Sequence, residues 1–290
     1  MTSPNEDRNS YYGKPVVAEP VWEPTVAAYF FSGGLAGAAA GLGLLARLRG
    51  MDRLARSCTL LAFGGAAVSP AFLIEDLGRP DRFHHMLRTF KVTSPMSVGT
   101  WLLSGFGSLS GLAAASELTG IGRRWGRLAE AGAATLGLPL STYTAALVAN
   151  TSIPAWREAR RTLPFLFAAG SAASAGAAAA ALTPAGEAAM ASRLAIGGAA
   201  AEVVLGQVME RTLGEAGHAY HQGPALVLSR LAAGLALAGA GAMAASGPAS
   251  RRPWARPMAT AGAAAVLAGT LLERLAVWRA GSQSARVTLR

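Results

Sequence analysis

Residues 25–46 read TVAAYFFSGGLAGAAAGLGLLA, and none of the 22 carries a charge. A helix rises about 1.5 Å per residue, so about 20 apolar residues cover the roughly 30 Å of hydrocarbon in a bilayer. Outward from this stretch the same pattern returns over 54–75, 96–118, 128–150, 163–182, 190–212, 225–246 and 257–278, each time after a short charged break. In lipid every backbone N–H and C=O must be satisfied within its own segment, which a helix does and an open strand does not. The ten-residue alternation of a membrane barrel is absent. The sequence predicts an all-α integral membrane protein with eight transmembrane helices. The polar residues 1–24 precede the first helix and lack the basic, apolar and small-residue order of a cleavable signal.

The composition of all 290 residues agrees. Charged residues make up 14% and hydrophobic ones 52%, against about 25% charged in soluble chains, too few to cover a soluble surface. Cys58 is the single cysteine, which excludes an internal disulfide framework and any thiolate-ligated cluster. The net charge is +10, with Lys14 and Lys91 the only lysines among 26 basic residues. No basic stripe with interleaved aromatics is present, so nucleic acid is excluded as a partner and the lipid bilayer is the expected one. Lys and Arg divide almost evenly between the two sets of connections, so the positive-inside rule does not orient the chain.

Gly33, Gly37 and Gly41 share one face of the first helix at four-residue spacing, where small residues let helices approach closely. The alanine-rich stretch around 168–182 reads instead as compositional bias. Glu202 sits near the middle of the sixth helix, where an ionised carboxylate costs about 2.5–3.5 kcal/mol on insertion scales. It is a proton-transfer candidate, or a carboxyl held by a hydrogen bond from Gln207 or a neighbouring helix. Glu210 with Arg211, and Glu273 with Arg274, read as interfacial pairs near helix ends. His218 and His221 have a metal-compatible spacing but no third ligand, so no metal site is expected. All four histidines lie in or beside connections, leaving no axial pair for a haem inside the hydrocarbon.

Two connections are denser than the rest. Residues 73–101 read LIEDLGRPDRFHHMLRTFKVTSPMSVGTW. Glu75 and Asp76 stand where the second helix leaves the membrane, and Arg79, Arg82, His84, His85, Arg88 and Lys91 follow. Guanidinium groups lower a carboxylate pKa and burial raises it, so this is either a proton-handling site or a salt-bridged loop. Residues 138–167, LPLSTYTAALVANTSIPAWREARRTLPFLF, place Tyr143 and Asn150 on one helix face, with Trp156 expected at headgroup level. The Tyr143 hydroxyl suits a quinone carbonyl, or it is a packed core tyrosine. Both connections follow even-numbered helices, so they lie on the same membrane side as the N-terminal tail and can meet it.

The stretch from Trp22, WEPTVAAYFFSGGLAGA, the run from Asp76, DLGRPDRF, with SPMSVGTW, and the run from Tyr143, YTAALVANTSIPAW, leading into LPF resemble the NrfD, or polysulfide reductase membrane subunit, family of quinone-interacting anchors. The likeness covers roughly the first 170 residues, and the second half matches in helix count and in its acidic sixth helix. The resemblance implies two four-helix bundles, here 25–150 with the quinone pocket and 163–278, joined by a linker at 151–162 and followed by a tail at 279–290. It implies a menaquinone or ubiquinone exchanged at one membrane face, with no haem or iron–sulfur cluster in the chain itself. It also implies a ferredoxin-like iron–sulfur partner with a molybdopterin or other catalytic subunit beyond, in a bacterial cytoplasmic membrane. Carried over, Tyr143 is the quinone hydrogen-bond donor and Asp76 the acidic residue of the pocket, with Glu75 beside it. Arg79 and Arg82 structure the loop, and Tyr29 and His85 join the binding set. Where family members carry an Asn–His pair early in helix one, this chain has Val26 and Tyr29. The function implied is electron exchange between quinone and the partner, with associated proton transfer. A structural anchor without quinone chemistry and a proton or solute transporter are the alternatives.

Overall fold

The computed structural model describes residues 22–76, 80–88, 90–247 and 253–287. In chain order its helices are α1 (Thr25–Leu48), α2 (Asp52–Glu75), α3 (Pro95–Thr119), α4 (Arg123–Ala149), the short α5 (Pro154–Glu158), α6 (Leu163–Leu182), α7 (Ala189–Thr212), the short α8 (His218–His221), α9 (Gly223–Ser246) and α10 (Ala255–Val287). Eight of them are long and apolar enough to cross a bilayer. Large apolar side chains such as Leu112, Leu138, Phe165, Val204 and Leu237 point outward, as lipid requires and water does not. The chain is a multi-pass integral membrane protein.

Helix ends follow local chemistry. Ser94 caps α3, its side chain accepting the Ser97 N–H at 3.4 Å, with Pro95 in the first turn, where a missing N–H costs nothing. Gly120, at φ +73, ends that helix in the left-handed region.

Helices α1–α4 pack as one ring, and α6, α7, α9 and α10 as a second. The rings join where α1 meets α6 and α10 and where α4 meets α6. Of Gly33, Gly37 and Gly41, only Gly37 makes the backbone approach expected of that spacing. A Cβ on Gly137 of α4 would lie 2.5 Å from the Gly37 carbonyl oxygen, whereas Gly41 has open space. The stretch 168–182 is a packing seam rather than a bias of composition. A Cβ on Gly176 would fall 2.5 Å from the Ala195 N, and one on Gly198 would fall 2.5 Å from the Ala173 N.

Two further expectations change. The connection after α4 folds into α5 and a 3-10 turn at Ala159–Arg161. Trp156 is buried there instead of resting among headgroups. Its Nε1–H donates to the Val277 carbonyl at 2.7 Å, its ring stacks on Trp22 at 5.5 Å, and Gly281 gives the ring room. Helix α10 continues to Val287, so most of the stretch taken as a tail is helix. Glu273 and Arg274 therefore stand inside the bundle, not at its edge.

Candidate functional site

The ends of α1 and α10 that bear the chain termini, the α2–α3 connection and α5 share one side, the tail face. Trp22 and Glu23 tie them together. The Glu23 N–H donates to Asp76 Oδ1 at 2.8 Å, and the Trp22 carbonyl accepts the Trp278 Nε1–H at 3.0 Å. Asp76, just beyond the end of α2, is partly buried. Burial raises its carboxyl above the ordinary carboxylate range, the Glu23 N–H opposes this, and the Glu23 charge adds to it. Glu75 and His85 are exposed. Arg79 and the side chain of Arg82 lie outside the described residues.

Tyr29 is buried in the first ring of helices, its ring 6.1 Å from Phe30. Beside it the Ser32 and Ser69 hydroxyls share a 2.8 Å hydrogen bond. The Tyr143 O–H donates to the Pro95 carbonyl, and Gly99 leaves room for the ring. The structure thus engages Tyr143 with the start of α3, while Asp76 pairs with Glu23.

Sequence reasoning missed a large apolar space on this face. A cavity of about 350 Å³ lies between α2 and α3, beneath the 3-10 turn Pro80–Leu87. Ala66, Pro70 and Leu73 form one wall, Thr100, Leu103 and Gly107 the other, and Phe83 and Met86 the roof. Pro70 has no N–H, so the Ala66 carbonyl lacks its usual helical donor on the cavity side of α2. The mid-helix proline was the available signal.

The second missed feature explains Glu202. Glu202 is 3% exposed and Arg274 1%. Thr270 Oγ1–H donates to Glu202 Oε2 at 2.9 Å, and Arg274 Nη1 stands 3.8 Å from Glu202 Oε1. Arg274 also donates to the Phe167 carbonyl at 2.9 Å, and its guanidinium lies 3.9 Å from the Phe167 ring centre. Phe167 in turn stands 5.8 Å from Phe30. Gln207 is not the partner. The hydrogen bond and the cation both come from α10, and Gly170 of α6 leaves space for them.

At the opposite face Arg47 joins the first ring. It reaches Glu117 at 2.9 Å, and Asp52 and Glu130 at 3.2 Å each, beside a polar cavity of about 250 Å³. One cation thus holds carboxylates from α2, α3 and α4.

A family model described as "Polysulphide reductase, NrfD" matches residues 14–287. A comparison with curated proteins finds no match.

Proposed function

This chain belongs to the NrfD polysulphide reductase family and is the membrane subunit of a redox complex; from that premise we infer that it exchanges electrons between a membrane quinone and an iron–sulfur partner docked on the tail face. The observation that carries this reading is the apolar cavity between α2 and α3. Its volume lies in the range of small-molecule sites, and such sites are apolar with a few placed polar groups. A quinone ring fits between Leu73 and Leu103 under Phe83. The Ala66 carbonyl, freed by Pro70, is an acceptor for a quinol hydroxyl.

The quinone is substrate, menaquinone or ubiquinone, and brings two electrons and two protons per turnover. The electrons leave to the nearest cluster of the partner, because this chain has one cysteine and no histidine placed for a haem within its spans. A molybdopterin or other catalytic subunit stands beyond that partner, and the bacterial cytoplasmic membrane supplies the quinone. Asp76, two residues past the cavity wall at Ile74, receives a proton at its carboxylate. Exposed Glu75 and His85 pass protons to water on the same face. Arg79 belongs to the same loop and balances its carboxylates. Tyr143, with its hydroxyl on the Pro95 carbonyl, holds the start of α3 against α4 and remains the donor if the ring sits deeper, against Tyr29.

The test is quinol turnover of the assembled complex in variants. Gly107 faces open space in the cavity, so Gly107→Leu should fill it without disturbing the fold and raise KM for quinol about tenfold. Asp76→Asn should lower kcat with KM little changed. If Tyr143→Phe abolishes turnover while Gly107→Leu leaves it normal, the ring sits against Tyr143 and the cavity assignment fails. The second reading is a structural anchor, favoured by the engaged Tyr143 hydroxyl and the buried Tyr29. Normal turnover in all three variants, with no quinone extracted from the purified complex, would establish it.

A further inference from the structure

We propose that Glu202, Glu273 and Arg274 form a proton-loading site inside the second bundle, open to the tail face and closed toward the opposite face. Three independent observations carry it. The first is charge balance. One buried guanidinium interacts with two buried carboxyls, Glu202 at 3.8 Å and its chain neighbour Glu273. With both ionised the cluster would hold a net negative charge in a medium that solvates it poorly. One proton is therefore shared between the two carboxyls.

The second is incomplete bonding. Glu202 Oε1 and Arg274 Nε and Nη1 are buried without a hydrogen-bond partner among the described residues. Buried polar groups are normally satisfied, and Glu202 and Glu273 also line a cleft of about 50 Å³ with Gly206, Gln207, Glu210 and Arg230. That volume admits water between several polar groups.

The third is direction. From Glu202 the cleft follows Gly206 and Glu210 along α7 toward Thr212, at the tail face. On the other side of Glu202, α9 and α10 touch backbone to backbone at Gly239–Gly262, and α6 and α7 do so at Gly198–Ala173 and Gly176–Ala195, which closes both seams to water. The groups facing the carboxyls are few. Among the described residues they are Gln207 and Glu210 on α7, Ser229 and Arg230 on α9, Thr270 and Arg274 on α10, and the Tyr220 hydroxyl on α8, while α6 contributes the Phe167 ring and carbonyl around Arg274. A hydronium entering from the tail face gives its proton to the ionised carboxyl and leaves as water. Release reverses the step, and nothing crosses the membrane. The proposal stands whether or not the α2–α3 cavity holds quinone.

The experiment has two readouts on the full chain in its complex. Infrared difference spectra between acidic and alkaline buffer, in H2O and D2O, should show a protonated-carboxyl C=O band that is lost in Glu202→Gln. Glu273→Gln should lose the same band, because the proton is shared, and it keeps the Glu202–Arg274 pair if the first variant fails to assemble. In a Cys58→Ser background within sealed vesicles, Val203→Cys should react with a membrane-impermeant maleimide from one side only, the side that labels exposed Glu158→Cys. Ala195→Cys should react from neither. A band unchanged in both Gln variants, or no titrating band at all, means a permanently charged structural pair and overturns the proposal. Labelling of Val203→Cys from the opposite side, or from neither, overturns the one-sided cleft.

Discussion

Removing Arg274 should harm the fold far more than removing the carboxylate it faces. Arg274→Met deletes the buried cation 3.8 Å from Glu202 and next to Glu273 in the chain, together with a 2.9 Å bond to the Phe167 carbonyl and a ring contact at 3.9 Å. Breaking a buried pair from one side costs about 3–5 kcal/mol, and a desolvated cation–π contact alone contributes about 2 kcal/mol of such a total. In Glu202→Gln, by contrast, Arg274 retains Glu273, and the amide oxygen still accepts from Thr270. The loss is the charge on one hydrogen bond, about 1 kcal/mol. Arg274→Lys should fall between, keeping the charge but not the planar fork that reaches the Phe167 carbonyl. The assay is denaturant-induced unfolding of the purified full chain in mild detergent, comparing the three variants at one pH. Equal losses for Arg274→Met and Glu202→Gln would refute the reasoning, because they would mean that Glu273 does not share the guanidinium.

Other predictions follow from single contacts. Gly37→Leu should separate α1 from α4 and cost at least about 1–3 kcal/mol, the penalty for overpacking, whereas Gly41→Leu, which meets open space, should be close to neutral in the same unfolding assay. Trp156→Ala should cost about 3–5 kcal/mol, and protease cleavage at Arg160 or Arg161 should become faster as α5 leaves α10. Asp76 binds its proton more tightly in the folded chain than in the unfolded one. Its contribution to stability is therefore present at low pH and lost as pH rises from about 3.9 through its raised value. Asp76→Asn should flatten that decline in a pH series of unfolding midpoints.

Much of the candidate site was legible along the chain because it depends on local order. Asp76, Glu75 and His85 stand at a helix end and in the turn after it, and the exposure of Glu75 and His85 follows from the end of the apolar run. The tail, the α2–α3 connection and the end of α4 were placed on one face by counting helices, and the Glu23–Asp76 and Trp22–Trp156 contacts bring them together. Arg274 was misread for a specific reason. The apolar window closes near residue 278, but the helix runs to Val287 on polar residues such as Ser284, whose buried hydroxyl accepts the Ala155 N–H of α5. Hydropathy detects contact with lipid, and a polar helix end covered by protein escapes it. Trp156 was misplaced in the same way, because its indole N–H is satisfied by a carbonyl 121 residues away.

By itself the sequence determined the eight helices, their limits to within a few residues at most ends, the face shared by two connections and the N-terminal tail, and the membership of the family. Each of these follows from backbone satisfaction in hydrocarbon and from short runs of neighbouring residues. Only the tertiary structure decided which glycine brings two helices into contact, that an apolar cavity opens between α2 and α3, and that Glu202 is paired from α10. Those outcomes depend on which faces of distant helices meet, and no local periodicity encodes the partner across an interface.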